Sequence, residues 1–291
     1  MNPQKYSISD LEKLTGIKAP TIRIWEKRYG IIAPERTETN IRFYSERQLQ
    51  RLLNISLLNR HGFKISHIAV MTDEQIRAEV TKISDSPGGD DGFLPDLIRA
   101  FSDLDEDHFE RILNSSILKL GFEQAFNHVV FPLLEKVNLM WQIGKISACQ
   151  ERFTHNLIRQ KLVVASDGLA GQSTGTDSHY LLYLPAGHYD EILLLYTNYL
   201  LRKHGHQIIY LGPSIPLDHL WSFPNREQID HVVVSLNVPF TDKELHQYTN
   251  QLIRIFLTSE IVVICMSMND IPDLNKKIAV IKSYSALADL M

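Results

Sequence analysis

The chain has 291 residues, which is about two domains at the usual ~150 residues per domain. Its composition, 44% hydrophobic and 22% charged, is typical of a globular protein and argues against disorder. No apolar stretch reaches about 18 residues, and residues 1–6 lack the apolar core of a signal peptide, so we expect no membrane contact. Cys149 and Cys265 form neither a zinc pattern nor a disulfide framework. A cytoplasmic protein with no metal site is therefore expected.

Charge is distributed unevenly along the sequence. Residues 1–70 hold 12 Lys and Arg against 6 Asp and Glu, a net of +6, whereas the remainder holds 18 against 28, a net of −10. A basic segment attached to an acidic body predicts that only the N-terminal part meets a polyanion such as DNA.

The basic segment has the pattern of a helix–turn–helix. Ser7 can cap a helix over residues 8–14, Gly16 provides a turn, and residues 19–29 form a second helix whose first turn tolerates Pro20. In such a motif the second helix enters the major groove of DNA, where its outward residues reach phosphates and base edges.

A wing is predicted over residues 34–44, because a polar centre between basic and aromatic residues suits contact with backbone phosphates. Ser45 then begins a longer helix to about Arg60, and Gly62 ends it. A helical module without DNA contact is the alternative, which the wing and the basic charge disfavour. The residues predicted to contact DNA are Thr21, Arg23, Lys27, Arg28, Tyr29, Arg36, Thr37, Asn40, Arg42 and Tyr44.

The remainder of the chain divides by composition and periodicity. The Ser-, Pro- and Gly-rich stretch that ends at Gly92 cannot drive burial, and we place a linker at 77–92 after a DNA-binding domain at 1–76. Apolar residues then recur at helical spacing, which predicts a four-helix bundle at 93–172.

The last domain is predicted at 173–291. Short apolar runs at 180–184, 208–211, 232–234 and 261–264 are typical of buried strands, and helical stretches alternate with them. This alternation predicts a parallel α/β sheet, in which ligands lie beyond the carboxyl ends of the strands.

The N-terminal residues carry a resemblance to a known family. The string Thr-Ile-Arg-x-Trp-Glu-x-Arg-Tyr-Gly-Ile-x-x-Pro-x-Arg-Thr over 21–37, followed by Asn40, Arg42 and Tyr44, resembles the MerR family of transcription regulators. The match covers about residues 5–72. It implies a winged helix–turn–helix that binds pseudo-palindromic promoter sites as a dimer.

The body resembles the cobalamin-binding module of the light- and cobalamin-responsive carotenoid repressors within that family. Trp141 and Glu151 keep the spacing between the family's cap Trp and its Glu-His pair, and Arg152 stands at the His. The stretch Arg-x-x-Gly-x-x-Ile-x-Tyr-Leu-Gly-Pro over 202–213 matches as well. The implied fold class is multidomain: a winged helix–turn–helix, a four-helix cap bundle and a flavodoxin-like parallel α/β domain.

The cobalt-ligand motif of that module, Asp/Glu-x-His-x-x-Gly, is altered. Asp190 falls at the His, which would ligate cobalt, and Leu193 falls at the Gly, which would leave room for the nucleotide tail. The bulkier residues 265–268 replace a Gly-Gly pair, while Ser235 is retained. The degenerate cofactor set is therefore Trp141, Glu151, Arg152, His188, Asp190, Leu193 and Ser235.

The leading hypothesis is a sequence-specific, dimeric MerR-type regulator whose body serves sensing or oligomerisation and has lost cobalamin. Its expected partners are promoter DNA, a second copy and a small-molecule or protein effector. The alternative is a cobalamin-dependent regulator with unusual coordination, through His188 or with no protein ligand. An enzyme is not expected, because cobalamin enzymes need a separate barrel of about 250 residues, for which no chain remains.

Overall fold

The computed structural model describes residues 6–36, 42–84, 92–169, 178–236, 242–266, 274–284 and 286–287. The chain divides into two compact units, Met1–His155 and Asn156–Met291. Within the described ranges, no helix has both the length and the apolar character needed to cross a bilayer.

The first unit begins with a segment, called the head (residues 6–36 and 42–84), that follows the predicted winged helix–turn–helix. Ser7 and Ser45 each form a reciprocal capping box, and Gly16 takes the left-handed conformation (φ 72°) that ends the first helix. These caps explain why the helix starts could be predicted from the sequence. The elements of the head are α1 (Ile8–Thr15), α2 (Ala19–Tyr29), β1 (Glu35–Arg36), β2 (Arg42–Phe43), α3 (Glu46–Arg60), α4 (Ile65–Ile68) and α5 (Asp73–Ser84).

Helix α5 corrects the start of the predicted linker. It runs through residues 77–84, which the composition had assigned to the linker at 77–92. The physical reason is packing: Ile76 and Val80 lie four residues apart on one face of α5 and are buried in the same apolar cluster as Leu52 and Ile55 of α3. The head therefore extends at least to the end of α5.

The helical segment that follows contains the four predicted helices. The third is a continuous run of α8, a π-helical turn and α9, in which the rings of Phe126 and Phe131 pack edge to face at 6.0 Å. The elements are α6 (Phe93–Ser102), α7 (Glu106–Leu120), α8 (Phe122–Ala125), the π-helical turn (Phe126–Val130), α9 (Phe131–Gln142) and α10 (Ala148–Asp167).

The second unit contains a five-stranded sheet of β3 (His179–Pro185), β4 (Gln207–Ile215), β5 (His231–Ser235), β6 (Glu260–Ile264) and β7 (Ile278–Ile281). All its pairings are parallel, in the order β4-β3-β5-β6-β7. This is the flavodoxin-like order, which confirms the predicted class. The last strand was not predicted from the sequence.

Helices α11 (Ile192–Lys203) and α12 (Asp242–Ile255) accompany the sheet. Between β4 and β5 the structure has two 3₁₀ helices, Leu217–Ser222 and Arg226–Gln228, where the alternation predicted an α-helix. Every residue of α11 from Ile192 to Leu201 is buried, so no face of its first turns is open to solvent.

Candidate functional site

Helix α2 presents a basic outer face. Ile22 is fully buried in the head core, and Trp25 packs against the same core. Because a helix repeats every 3.6 residues, this inward stripe leaves Arg23, Lys27 and Arg28 exposed on the outside. Pro20 lies in the first turn and Gly30 (φ 63°) ends the helix, so both ends are fixed by the local sequence.

Two further predicted contacts on α2 lie at the edge of this face. The side chains of Thr21 and Tyr29 are partly exposed. The guanidinium of Arg28 lies over the ring of Tyr29 at 5.3 Å from its centroid. Tyr29 also packs against the head core, so it holds Arg28 at a defined position on the surface.

The predicted wing is a short antiparallel hairpin of β1 and β2. Arg36 and Arg42 are directly opposite each other in its register, and both are exposed. The hairpin therefore presents two basic side chains in cross-strand positions on its exposed surface. The predicted contacts Thr37 and Asn40 lie outside the described residues.

Tyr44 corrects the predicted DNA-binding set. Its side chain is fully buried, and its hydroxyl donates to Oε1 of Glu26 on α2 at 2.5 Å. Burial and the Glu26 carboxylate raise the pKa of Tyr44 above its usual range. Backbone hydrogen bonds with Tyr6 hold it at the base of the wing (2.9 and 2.8 Å). Tyr44 therefore supports α2 from within the head, whereas the prediction placed it on the exposed DNA-binding surface.

The cofactor residues predicted in the helical segment have other partners in the first unit. Trp141 is half-buried near the end of α9, and its indole Nε1 donates to Oε1 of Glu46 on α3 at 3.0 Å. Glu151 pairs with His155 on its own helix, with Nδ1 and Oε1 3.3 Å apart. Arg152 is exposed.

In the second unit, the altered ligand motif follows β3. Asp190 is exposed, and its Oδ1 accepts from the backbone N–H of Ile192 at 3.4 Å, which is a local turn contact. Leu193 is 6% exposed on the first turn of α11. The Asp190 carboxylate thus accepts a hydrogen bond from the backbone at the start of α11. Leu193, at the position where the resemblance expects a glycine, is buried.

The loop after β3 is bound to the end of β4. Its Gly187 N–H donates to Oγ of Ser214 at 3.1 Å, and the Ser214 N–H donates to the carbonyl of His188 at 3.1 Å. Tyr189 is 71% exposed. Ser235 is fully buried at the end of β5. The backbone around His188 is thereby fixed at the carboxyl edge of the sheet.

A buried polar cluster beside this loop was missed by sequence reasoning. Glu191 is 7% exposed, and its carboxylate accepts from Nε of Arg159 at 2.5 Å and from the hydroxyl of Tyr210 at 2.7 Å. Burial and the Glu191 carboxylate raise the pKa of Tyr210. Glu191 follows Asp190 directly, but nothing in the sequence indicated its two partners, which come from α10 and β4.

At this edge, Asp190 presents an exposed carboxylate at the position where the resemblance expects an imidazole ligand, and the neighbouring Glu191 is paired on both oxygens. Leu193 is buried at the position where the resemblance expects a glycine. In the part of the chain that the structure describes, no group of three or more His, Cys, Asp or Glu side chains is arranged to hold a metal ion.

Comparison with known protein families defines the class of protein. Residues 6–75 match the MerR HTH family regulatory protein model, and residues 94–165 match the B12 binding domain model. The chain thus combines a segment similar to MerR-type helix–turn–helix regulators with a segment similar to B12-binding domains.

Individual relatives extend this result over most of the chain. It is 25% identical to the HTH-type transcriptional repressor CarH of Myxococcus xanthus, over 76% of this chain and 75% of that protein. It is also 25% identical to the repressor CarA of the same organism, over 72% of this chain and 68% of that protein. The Methanosarcina barkeri monomethylamine corrinoid protein is 12% identical, with a TM-score of 0.52 over 67% of this chain and 94% of that chain, and this likeness shows the fold alone.

Proposed function

We propose that the chain is a sequence-specific transcription regulator that binds promoter DNA as a dimer, has no enzymatic activity, and answers to a signal other than cobalamin. The observation that carries the DNA-binding part is the exposed basic face of α2 beside the opposed Arg36 and Arg42 of the wing. A recognition helix and a cationic wing together supply both base-edge and phosphate contacts.

The loss of cobalamin is supported by the loop after β3. Asp190 and Leu193 stand where the resemblance places the cobalt-ligating His and the tail-accommodating Gly, and Glu191 is held by Arg159 and Tyr210. Each change disfavours the cofactor by a different physical route: a poorer ligand, a filled channel and a fixed charge. The effector would then be a different small molecule or a partner protein.

DNA binding is tested with the full chain and a library of random duplexes. The wild-type protein selects its site, and the affinity for that site is then measured as the salt concentration rises. We expect a steep fall with salt, because Lys and Arg displace condensed counterions. Arg23→Ala should weaken the selected site about tenfold or more, since one base-edge contact carries about 1–3 kcal/mol.

Arg111→Ala is the matched control, because Arg111 is exposed on α7 and the proposal gives it no role at DNA. It should leave the affinity unchanged. Failure of the wild-type protein to enrich any sequence, or equal affinities for wild type and Arg23→Ala, would overturn the DNA-binding proposal.

The cofactor is tested by a visible absorption spectrum. Purified protein is mixed in the dark with adenosylcobalamin or hydroxocobalamin, desalted and scanned. We expect a colourless protein that still binds its selected duplex. Stoichiometric corrin colour would overturn the loss of cobalamin and establish a cobalamin-dependent regulator, the alternative that the B12 binding domain match over residues 94–165 favours.

A further inference from the structure

Helix α3 carries a polar stripe that meets the end of α9. Glu46, Gln50 and Asn54 are spaced four residues apart and so lie on one face of the helix. Glu46 accepts from the indole of Trp141 at 3.0 Å, and Nδ2 of Asn54 donates to the carbonyl of Gln142 at 3.0 Å. The polar stripe of α3 therefore bonds to the side chain of Trp141 and to the backbone carbonyl of Gln142, both at the end of α9.

The turn after α9 fits closely against the middle of the same stripe. A Cβ added at Gly144 would lie 3.5 Å from Oε1 of Gln50, and Gly144 has a φ of 69°, which a side chain rarely adopts. The chain after Trp141 thus passes Gln50 at van der Waals distance in a turn that depends on a glycine.

Apolar packing accompanies these polar contacts. Leu139 (9% exposed) and Ile143 (3% exposed) belong to the same buried cluster as Leu52 and Ile55 of the head. Burial of such side chains stabilises by about 1.5–3 kcal/mol each. The end of α9 is consequently part of the core of the head.

The DNA-binding surface takes no part in this contact. Arg23, Lys27 and Arg28 on α2 are exposed, as are Arg36 and Arg42 of the wing. The contact uses the side of the head formed by α3. It therefore fixes the orientation of the head without covering the face that would meet DNA.

We propose that Trp141, through its hydrogen bond to Glu46, holds the DNA-binding head in a fixed orientation on the end of α9, beside the apolar packing of Leu139 and Ile143. This rests on the proposed function, since the position of α3 then sets how the same DNA-binding head meets DNA.

Reciprocal amide hydrogen exchange of the full-length protein, without DNA, tests the docking. Glu46→Ala should raise exchange over residues 139–147, and Trp141→Phe, which keeps an aromatic ring but lacks the donor, should raise exchange over residues 46–54. We expect about fivefold to tenfold in each direction, as a hydrogen bond to a half-buried carboxylate predicts. Glu46→Gln keeps an acceptor oxygen and should stay within about twofold of wild type.

Trp221→Phe is the matched control, because Trp221 is 52% exposed and lies in the second unit. It should leave both segments unchanged. A rise confined to the mutated segment would overturn the proposal, since it would show a local loss of stability without coupling between the two elements. Because no DNA is present, this outcome is distinct from failure of the DNA-binding proposal.

Release is tested by DNA binding of the same variants. Glu46→Ala should lower the affinity for the selected duplex. The double variant Glu46→Ala/Trp141→Phe should lower it by the same factor, because both substitutions remove the same hydrogen bond. Additive effects of the two substitutions would contradict a shared docking contact.

Discussion

The hydroxyl of Tyr44 connects the base of the wing to the recognition helix. Tyr44→Phe removes the donor to Glu26 and leaves that carboxylate partly buried without it. We expect the free energy of unfolding to fall by about 1–2 kcal/mol, measured by chemical denaturation. Tyr189→Phe is the control, because its side chain is 71% exposed. Equal losses in the two variants would show that the bond to Glu26 contributes nothing specific.

The charge of Glu191 is compensated by Arg159 and Tyr210. Arg159→Met keeps the length of the side chain but removes the positive charge, so a buried carboxylate is left with the hydroxyl of Tyr210. The free energy of unfolding should fall by about 1–2 kcal/mol, a value reduced because Arg159 is half-exposed. In the double variant with Glu191→Gln much of this loss should return, and a double variant less stable than Arg159→Met would contradict the assignment.

Buried tyrosines make stability depend on alkaline pH. Burial raises the pKa of Tyr44, Tyr183, Tyr210 and Tyr248 from the ordinary value of 10.0. The folded state holds these protons more tightly than the unfolded state. The contribution of these tyrosines to the free energy of unfolding is therefore complete below pH 10 and is lost as the pH rises above it. The free energy of unfolding should therefore change little from these groups between about pH 7 and 9 and fall steeply above about pH 10.

Tyr183→Phe should make that alkaline fall shallower, because its hydroxyl lies 2.6 Å from that of Tyr248 inside the second unit. An identical slope in wild type and Tyr183→Phe would mean that the buried pair does not titrate on unfolding.

At the level of elements, predictability from the sequence follows local signals. Helices α2 and α3 could be placed because their starts and ends depend on Pro20, Gly30 and Ser45, which act within a few residues. The linker start failed because Val80 is held by tertiary packing against α3, which composition does not report. The strand β7 was missed because only its pairing with β6 distinguishes its short run from a loop.

The candidate site shows the same division. The basic residues of α2 were predictable from helical periodicity, since the position of Ile22 fixes which side chains face outward. The burial of Tyr44 was not, because its partner Glu26 is 18 residues away. The polar stripe of α3 does have a signal, three polar residues at intervals of four, but its partner segment lies near Trp141, far along the chain.

The wing is an element whose contribution to DNA binding can be measured separately. Arg42→Ala removes an exposed positive charge to which the proposed function assigns a phosphate contact. We expect weaker binding to all duplexes alike and a decrease of about one in the slope of log affinity against log salt. The thermal stability should change little, because Arg42 is exposed. A loss confined to the selected sequence would assign Arg42 to base readout.

At the scale of the whole molecule, docking on the end of α9 fixes the orientation in which each head meets DNA. A dimer that binds two half-sites needs its recognition helices about one helical turn, or about 34 Å, apart. A head held by Glu46 and Trp141 has little freedom to adjust to another spacing. A released head can adjust, but it must be ordered on binding, which lowers the affinity at the best spacing.

The spacing of half-sites is therefore the property that should distinguish docked from released heads. On duplexes whose selected half-sites are moved apart by about 5 bp, wild-type affinity should fall about tenfold or more, because half a helical turn places the second site on the opposite side of the duplex. Trp141→Phe loses one hydrogen bond of the docking contact and keeps the packing of Leu139 and Ile143. The same change should therefore cost this variant measurably less than wild type, from a weaker starting affinity, as measured by electrophoretic mobility shift. Trp221→Phe should behave as wild type. If the two tryptophan variants respond alike to spacing, the contact between α3 and α9 does not set the register of the heads on DNA.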